Sequence, residues 1–257
     1  MIQQQNLYEK RIVCFIDILG FSSRIKDTTK NGQDGIDSLQ TVCIGLELIR
    51  SLGEVVGHRA KIEGAVSTQF SDSIVISFPW NDGDNSILVA FATIKYMQIY
   101  LIKYCKFLLR GGIVMGDVIH NDKMIVGPAM IAAHELESKC AVSPRIVIDP
   151  KVAYRYNSIL KKHKKEWKGG SVIQRDYDDT YFIDYFNISE EELPMTLDEV
   201  KEYFRTLCTL VSDNIERADM NIRIKYLWMR SKIKKSKLFQ QPAFARIYKE
   251  LVTDKRK

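Results

Sequence analysis

The stretch that decides the fold is RIVCFIDILGFSSRI, residues 11–25. Residues 12–19 are apolar on both strand faces except for one carboxylate, Asp17, and residues 11–19 are therefore predicted as a central β-strand. A turn at residues 20–22 then leads into a helix. An ionised carboxylate is rarely buried alone, because its desolvation is costly. Asp17 therefore predicts a partner of opposite charge, and a bound cation is the partner that we expect.

The chain has 257 residues, of which 46% are apolar and 27% charged, as is typical of a globular protein. Its longest apolar run, residues 87–109, contains three lysines, so no charge-free membrane span is predicted. Much of the net charge of +6 lies in residues 161–168 and 223–237. Acidic side chains precede the second stretch on the same predicted helix and indicate a solvated helical face. We expect a cytoplasmic protein with no nucleic-acid partner and no membrane partner.

Hydrophobic periodicity predicts the order strand, helix, strand, helix, strand, strand, helix and strand between residues 11 and 149. Residues 36–52 are predicted as a helix that ends at Gly53, residues 65–78 as one strand, and residues 81–83 as a turn. This order is typical of an α+β sheet of the ferredoxin-like kind, with the helices packed on one face.

The remainder of the chain predicts a helix, a strand at residues 181–185, and one long helix over residues 197–235. The two tyrosines and Asp184 of that strand are interpreted as packing residues. We expect residues 1–150 to form the chemical unit, and residues 151–257 to form a strand and helix extension packed on it.

A second acid, Asp72, interrupts the apolar stretch TQFSDSIVISF. In a ferredoxin-like sheet this strand can lie beside the strand of Asp17, which brings the two carboxylates together. An oxygen-only pair without a nearby His or Cys selects a hard cation, and Mg²⁺ typically binds one or two carboxylates plus substrate phosphates. Backbone N–H groups at the turn after Asp17 would face those phosphates.

The motifs FIDILGF, FSDSIVIS, RGGIVMGDV and VGPAMIAAHELE resemble, in order and spacing, those of the class III nucleotidyl cyclase catalytic domain. The resemblance spans residues 10–150. It implies that Asp17 and Asp72 hold two divalent ions, Mn²⁺ or Mg²⁺, together with the backbone carbonyl of Ile18. Arg110, which opens the third motif, would bind the triphosphate. The residues that would cradle the triphosphate are Leu19, Gly20, Phe21 and Ser22.

Three positions depart from that family's pattern. Thr68 stands four residues before the second aspartate, where purine cyclases place a base-selecting lysine or glutamate. Ile131 and Glu135 occupy the positions of the asparagine and arginine that orient the ribose and stabilise the transition state. A purine cyclase without these groups would be badly impaired, because such side chains act where charge develops.

The stretches GPAMIAAHELE, PRIVID, YFIDYF and KYLWM are similar to those of the bacterial pyrimidine cyclases of Pycsar antiphage defence. The similarity implies conversion of UTP or CTP into the 3′,5′-cyclic monophosphate, with release of pyrophosphate, and a product that activates a separate effector. We expect UTP as the substrate and CTP as the alternative. The class III resemblance also implies a homodimer with active sites at the interface.

Two other functions are compatible with these residues. The absence of the family's asparagine and arginine at positions 131 and 135 is typical of a degenerate cyclase domain that binds a nucleotide and signals by association. The retention of Asp17, Asp72 and Arg110 favours catalysis over that hypothesis. A purine cyclase with an unfamiliar base pocket is the third hypothesis.

Overall fold

The structure is a computed structural model, and it describes residues 8–58, 64–80, 86–167, 170–188, 195–216 and 219–253. The strands are β1 (Glu9–Ile18), β2 (Val66–Phe70), β3 (Ser73–Pro79), β4 (Leu109–His120), β5 (Ile125–Val126), β6 (Ile146–Ile148), β7 (Ile173–Arg175) and β8 (Tyr181–Ile183). The helices are α1 (Phe21–Thr28), α2 (Gln33–His58), α3 (Ser86–Cys105), α4 (Pro128–Cys140), α5 (Pro150–Lys162), α6 (Leu197–Asn214), α7 (Met220–Lys235) and α8 (Pro242–Tyr248), followed by one π-helical turn, Lys249–Thr253.

Strand β1 lies at the centre of the first part of the sheet. It pairs antiparallel with β3 on one side and with β4 on the other, and β2 pairs with β3 at the edge. The order β2-β3-β1-β4, with α2 and α3 as connections, is the ferredoxin-like arrangement, so the predicted α+β fold is confirmed. Beyond β4 the same sheet continues through β6, β8 and β7. The division of the chain at residue 150 stays a prediction.

The two faces of β1 pack against different helices. Ile12 and Ile16 belong to the main core, which β1 forms with α2, α3 and α5. Val13 points to the opposite face, where α4 packs. The prediction of helices on one face is therefore wrong for α4. Helix α4 packs on this face because Gly112 of β4 lets it approach the strand. A Cβ at Gly112 would stand only 2.3 Å from the carbonyl oxygen of Ala133.

Helix α3 runs through the core. Among the described residues it is the one helix long and apolar enough to cross a membrane by length and composition, yet 72% of its most apolar 18-residue window is buried inside the structure. Even Lys95, in the middle of the helix, is only 1% exposed. Helix α3 is therefore packed as the core helix of this fold.

The predicted strand at residues 65–78 is wrong, because the structure has a hairpin there. Strands β2 and β3 are joined by a two-residue turn in which Ser71 has a φ of 54°. Asp72 is the second residue of this turn and is not a mid-strand residue. The predicted turn at residues 81–83 lies outside the described residues.

Two predicted helix boundaries are also wrong. Helix α2 continues through Gly53 to His58, since a single glycine is tolerated inside a helix. The single helix predicted over residues 197–235 is two helices, α6 and α7. The side chain of Asp219 accepts hydrogen bonds from two N–H groups of the first turn of α7 and so begins a new helix.

The C-terminal helices form a second core with the end of α3. Tyr185 is 1% exposed in this core, and its hydroxyl donates a hydrogen bond to the carbonyl oxygen of Pro144 at 2.8 Å. The hydroxyl of Tyr203, on α6, donates to the carbonyl oxygen of Tyr185 at 2.9 Å. The interpretation of Tyr185 as a packing residue is confirmed.

A buried ionic cluster around Asp176 holds α7 against the sheet. Its Oδ2 accepts hydrogen bonds from Arg145 Nη1 at 2.6 Å and from Trp228 Nε1 at 2.8 Å, and its Oδ1 accepts one from Lys232 Nζ at 2.5 Å. The side chain of Asp176 is fully buried. Burial alone would raise the pKa of its carboxyl, but the bonds from Lys232 and Trp228 hold that pKa below its ordinary value.

The cluster predicts that neutralising Asp176 lowers the free energy of unfolding by a large amount. Asp176→Asn leaves Arg145 and Lys232 buried without their shared counter-charge, so we expect a loss of about 3 to 5 kcal/mol in the free energy of unfolding. The control Asp179→Asn removes an exposed ion pair of the same hairpin, 3.1 Å from Arg175, and should cost less than about 1 kcal/mol. Urea unfolding followed by circular dichroism measures both, and equal costs would contradict an anchoring role for Asp176.

Candidate active site

Asp17 and Arg110 face each other on neighbouring strands. The register of β1 against β4 places the two residues opposite each other. Arg110 Nε donates a hydrogen bond to Asp17 Oδ2 at 3.1 Å, and Ser73 Oγ on β3 donates to Asp17 Oδ1 at 3.1 Å. The side chain of Asp17 is 14% exposed. The partner of this carboxylate in the structure is therefore a guanidinium from the adjacent strand, and a bound cation stays a prediction.

Asp72 reaches the same end of β1 through the backbone. The N–H of Ile18 donates a hydrogen bond to the carbonyl oxygen of Asp72 at 3.2 Å, so the β2-β3 turn is held beside the end of β1. The two carboxylates are close enough to affect each other. Burial raises the pKa of the Asp17 carboxyl and the charge of Asp72 adds to this rise, whereas Arg110 and Ser73 oppose it. The predicted convergence of Asp17 and Asp72 is thus present in the structure.

Glu137 is a site residue that the sequence analysis missed. Its Oε1 lies 2.7 Å from Arg110 Nε, and its side chain is 3% exposed. Burial raises the pKa of the Glu137 carboxyl, and the charge of Asp17 adds to this, while Arg110 opposes it. A signal was available, because Ala129, Ala133 and Glu137 recur at i, i+4 and i+8 and mark the buried face of α4.

Arg110 is held by one end and open at the other. Its Nε lies between the carboxylates of Asp17 and Glu137, and its side chain is 35% exposed. Within the described part of the chain, neither terminal nitrogen of the guanidinium, Nη1 or Nη2, has a hydrogen-bond partner. Two nitrogens of a fixed cation, each with two N–H donors, therefore remain for an anion at the end of β1.

The turn after β1 supplies further donors. Gly20 precedes α1 with a φ of 76°, a conformation that glycine adopts readily, and no side chain caps the helix. Leu19 is held in place because its N–H donates to the carbonyl oxygen of Leu108 at 2.8 Å. In the residues that the structure describes, the N–H groups of Phe21 and Ser22 have no acceptor. The turn thus presents free backbone N–H groups at the positive end of a helix dipole.

Thr68 lies on the same sheet face as Asp17 and contacts a histidine that the sequence analysis missed. Thr68 Oγ1 is 2.9 Å from His120 Nε2, and Ser77 Oγ is 2.7 Å from His120 Nδ1. Arg11 Nε donates to Ser77 Oγ at 2.8 Å. Burial, with a smaller effect of the Arg11 charge, lowers the pKa of His120 to about 4, so the imidazole is neutral at pH 7.

The hydrogen bonds select one tautomer of His120. Ser77 is fully buried, and a buried hydroxyl needs an acceptor for its proton. Among the described residues, His120 Nδ1 is the acceptor within reach of Ser77 Oγ, so the imidazole proton lies on Nε2. Nε2–H then donates to Thr68 Oγ1. The hydroxyl proton of Thr68 is left to donate to a ligand.

Ile131 and Glu135, the residues of the fourth motif that differ from the cyclase family's pattern, lie on the outer face of α4. Ile131 is 64% exposed. The carboxylate of Glu135 forms an exposed ion pair with Lys139 at 3.3 Å. His134 packs edge-on against the ring of Phe15, with the centroids 5.1 Å apart. The structure therefore does not bring Ile131 or Glu135 to the carboxylates of this chain.

The donor set fits a hard divalent cation. Asp17 and Asp72 offer carboxylate oxygens only, as Mg²⁺ and Mn²⁺ prefer, and two carboxylates are as many as Mg²⁺ commonly takes from a protein. Over the described ranges, no group of three or more His, Cys, Asp or Glu side chains is arranged to hold a metal ion. A cation at this site would therefore depend on substrate phosphates for further ligands.

Comparison with known proteins gives similarities to solved structures. No family model and no curated protein matches the chain. The adenylyl cyclase CyaB from P. aeruginosa is 16% identical with a TM-score of 0.49, over 72% of this chain and 97% of that chain. A bacterial light-regulated adenylyl cyclase is 16% identical with a TM-score of 0.44, over 69% of this chain and 91% of that chain. The catalytic core of a rhodopsin-guanylyl cyclase with converted specificity is 20% identical with a TM-score of 0.41, over 68% of this chain and 95% of that chain.

The lowered pKa of His120 predicts a pH-dependent stability. Between pH 6.5 and about pH 4 the unfolded chain binds a proton at His120 that the folded protein does not, so the free energy of unfolding rises with pH through this window. At about 1.4 kcal/mol per pKa unit, the full change is about 3 kcal/mol. Urea unfolding of the wild type and of His120→Gln at several pH values measures it. We expect the slope in this window to be smaller in the variant, and identical slopes would contradict a buried neutral His120.

Proposed function

We propose that the protein is a metal-dependent nucleotidyl cyclase. The carrying observation is the convergence of Asp17, Asp72 and Arg110 at the end of β1, beside the free N–H groups of the turn after Leu19. In the proposed reaction, the ribose 3′-oxygen forms a bond to the α-phosphorus of the same nucleotide. The bond from that phosphorus to the pyrophosphate oxygen breaks, and the hydroxyl proton leaves to water. Because both reacting groups belong to one molecule, positioning supplies most of the catalysis.

The residues divide this work by their chemistry. Asp17, Asp72 and the carbonyl of Ile18 would hold two divalent ions, Mn²⁺ or Mg²⁺. When bound, such ions lower the pKa of a ribose hydroxyl and offset phosphate charge. The free Nη1 and Nη2 of Arg110 would bind the phosphates, where their charge stabilises the charge that develops on the leaving group. The backbone N–H groups after Gly20 would bind the same triphosphate.

The substrate that we propose is UTP. His120 Nε2–H occupies one of the two lone pairs of Thr68 Oγ1, and the hydroxyl proton of Thr68 is available to donate to the base. A donor suits the O4 carbonyl of uracil, whereas the amino group at the same position of cytosine is itself a donor. This argument favours cyclic UMP as the product. CTP remains the alternative substrate.

A homodimer would complete the site. Phe70 is 49% exposed at the end of β2, on the sheet face that carries Thr68, and Ile131 is 64% exposed on α4. Burying apolar side chains of this size against a second copy is favourable.

The resemblance to the Pycsar cyclases supports a role in signalling. We propose a cytoplasmic enzyme whose cyclic nucleotide activates a separate effector during antiphage defence. A second candidate function is a nucleotide-binding module that signals by association, and the exposed positions of Ile131 and Glu135 favour it. The reaction assay below separates the two functions.

The first test is incubation of the purified protein with each of the four ribonucleoside triphosphates and Mn²⁺, with mass spectrometry of the products. We expect cyclic UMP from the wild type and a loss of at least about 100-fold in rate for Asp72→Ala. The backbone contact of residue 72 with Ile18 is unaffected by this change, so the fold should persist. The control Asp122→Asn alters an exposed turn acid and should keep wild-type turnover.

Other products would each decide against part of the proposal. Cyclic AMP or GMP would overturn the pyrimidine substrate while keeping the cyclase. No product from any triphosphate, together with nucleotide binding that survives Asp72→Ala, would favour the binding module.

Thr68 gives a separate test of base selection. Thr68→Val removes the hydroxyl, so we expect kcat/KM for UTP to fall about tenfold or more, since a buried carbonyl loses its donor. Thr68→Ser keeps the hydroxyl and should retain most activity. Ser67→Ala, on the opposite face of β2, is the matched control. Steady-state kinetics with UTP and CTP measure the preference, and an unchanged UTP to CTP ratio in Thr68→Val would contradict the role of this hydroxyl.

A further inference from the structure

A cavity of about 300 Å³ lies between the start of α1 and the C-terminal helices. It begins at Gly20, the residue that opens the candidate phosphate turn, and it ends against α6 and α7. The C-terminal extension therefore forms one wall of a space that adjoins the candidate active site. The residues that give the cavity its polar and charged lining include Ser23, Arg24, Asp27, Asn214, Lys225 and Tyr226.

Lys225 is the cation of this wall that has no fixed partner. Its side chain is half-buried, and across the ranges that the structure describes it forms no hydrogen bond and no ion pair within 4.0 Å. Burial, and secondarily the charge of Arg110, lower the pKa of Lys225, while Asp219 opposes the shift. The ammonium of Lys225 therefore lies within electrostatic reach of Arg110, the residue whose Nη1 and Nη2 are free.

The other charges of the cavity are already engaged. Arg24 donates to the carbonyl oxygen of Lys106 at 2.5 Å, and its guanidinium lies over the ring of Phe107, 4.5 Å from the centroid. Asp27 forms an ion pair with Lys30 at 2.8 Å. Lys225 is thus the charge in this wall that is available to an incoming anion.

The helix that carries Lys225 is held by the Asp176 cluster. Lys225, Trp228 and Lys232 are spaced i, i+3 and i+7 on α7, so they lie on one face of the helix. Trp228 and Lys232 both donate to the buried carboxylate of Asp176. The cluster holds the two helical turns that follow Lys225, and it therefore fixes which side of α7 faces the cavity that Lys225 lines.

We propose that Lys225 is a substrate-binding residue, which binds the β- and γ-phosphates of the nucleotide triphosphate from the C-terminal helix of the same chain. This inference rests on the proposed function. A triphosphate that contacts the turn at Gly20 and the free end of Arg110 extends its terminal phosphates into the cavity, where Lys225 is the available cation. The leaving pyrophosphate then carries its charge between Arg110 and Lys225.

The test compares Lys225→Met with Lys225→Arg, and uses Lys235→Met as the control, because Lys235 is an exposed lysine of the same helix. Isothermal titration calorimetry measures binding of inorganic tripolyphosphate in the presence of Mg²⁺. We expect Lys225→Met to weaken this binding at least about tenfold, and Lys225→Arg and Lys235→Met to stay within about threefold of the wild type. The melting temperature of each variant shows that the fold is retained.

The outcomes separate this inference from the proposed function. Tripolyphosphate binding that depends on Lys225, in a protein that cyclises no triphosphate, would support the phosphate site and overturn the cyclase. Cyclisation with the same KM in Lys225→Met as in the wild type would support the cyclase and overturn the role of Lys225. Binding of tripolyphosphate that is equal in Lys225→Met and the wild type, or absent in the wild type, would also overturn it.

Discussion

The ion pair between Asp17 and Arg110 is the interaction on which the candidate site depends, and it is set by strand register. In the observed pairing, Asp17 stands opposite Arg110 on β4 and opposite Ser73 on β3. A slip of one residue would turn Asp17 into the apolar core formed with α2 and α3, where it would have no donor. The apolar side chains on the two faces of β1 therefore fix the position of a polar group that contributes nothing to the core.

Helix α4 brings a second carboxylate to Arg110. Gly112 allows the helix backbone to approach β4, and that approach carries Glu137 to within 2.7 Å of Arg110 Nε. Two carboxylates then hold one nitrogen of the guanidinium, which leaves its outer nitrogens free in a fixed direction. A preorganised cation of this kind does not have to be reoriented when an anion binds, and such preorganisation is what makes electrostatic catalysis effective.

The sequence predicted the ferredoxin-like α+β sheet and the meeting of Asp17 with Asp72, because hydrophobic periodicity and isolated acids are local signals, but it took β2 and β3 for one strand. It did not predict that Asp72 lies in a hairpin turn, since the alternation of residues 65–78 continues through Ser71 and a non-glycine residue at positive φ is rare. Glu137 and His120 were missed for a different reason. Their roles arise from contacts with Arg110 and Thr68 that are 27 and 52 residues distant in sequence, and only the fold brings these pairs together.

The C-terminal extension is tied to the sheet by charge as well as by apolar packing, and this choice has a geometric consequence. Replacing a buried ion pair by apolar side chains often costs no stability, so the Arg145, Asp176 and Lys232 cluster is poorly explained as a source of stability alone. Its hydrogen bonds are directional, whereas an apolar contact would let α7 rotate or slide. Because α7 also carries Lys225, fixing the rotation of this helix fixes which of its side chains faces the cavity beside Gly20. The C-terminal helices can therefore form a wall of the candidate site while they share a second core with the end of α3.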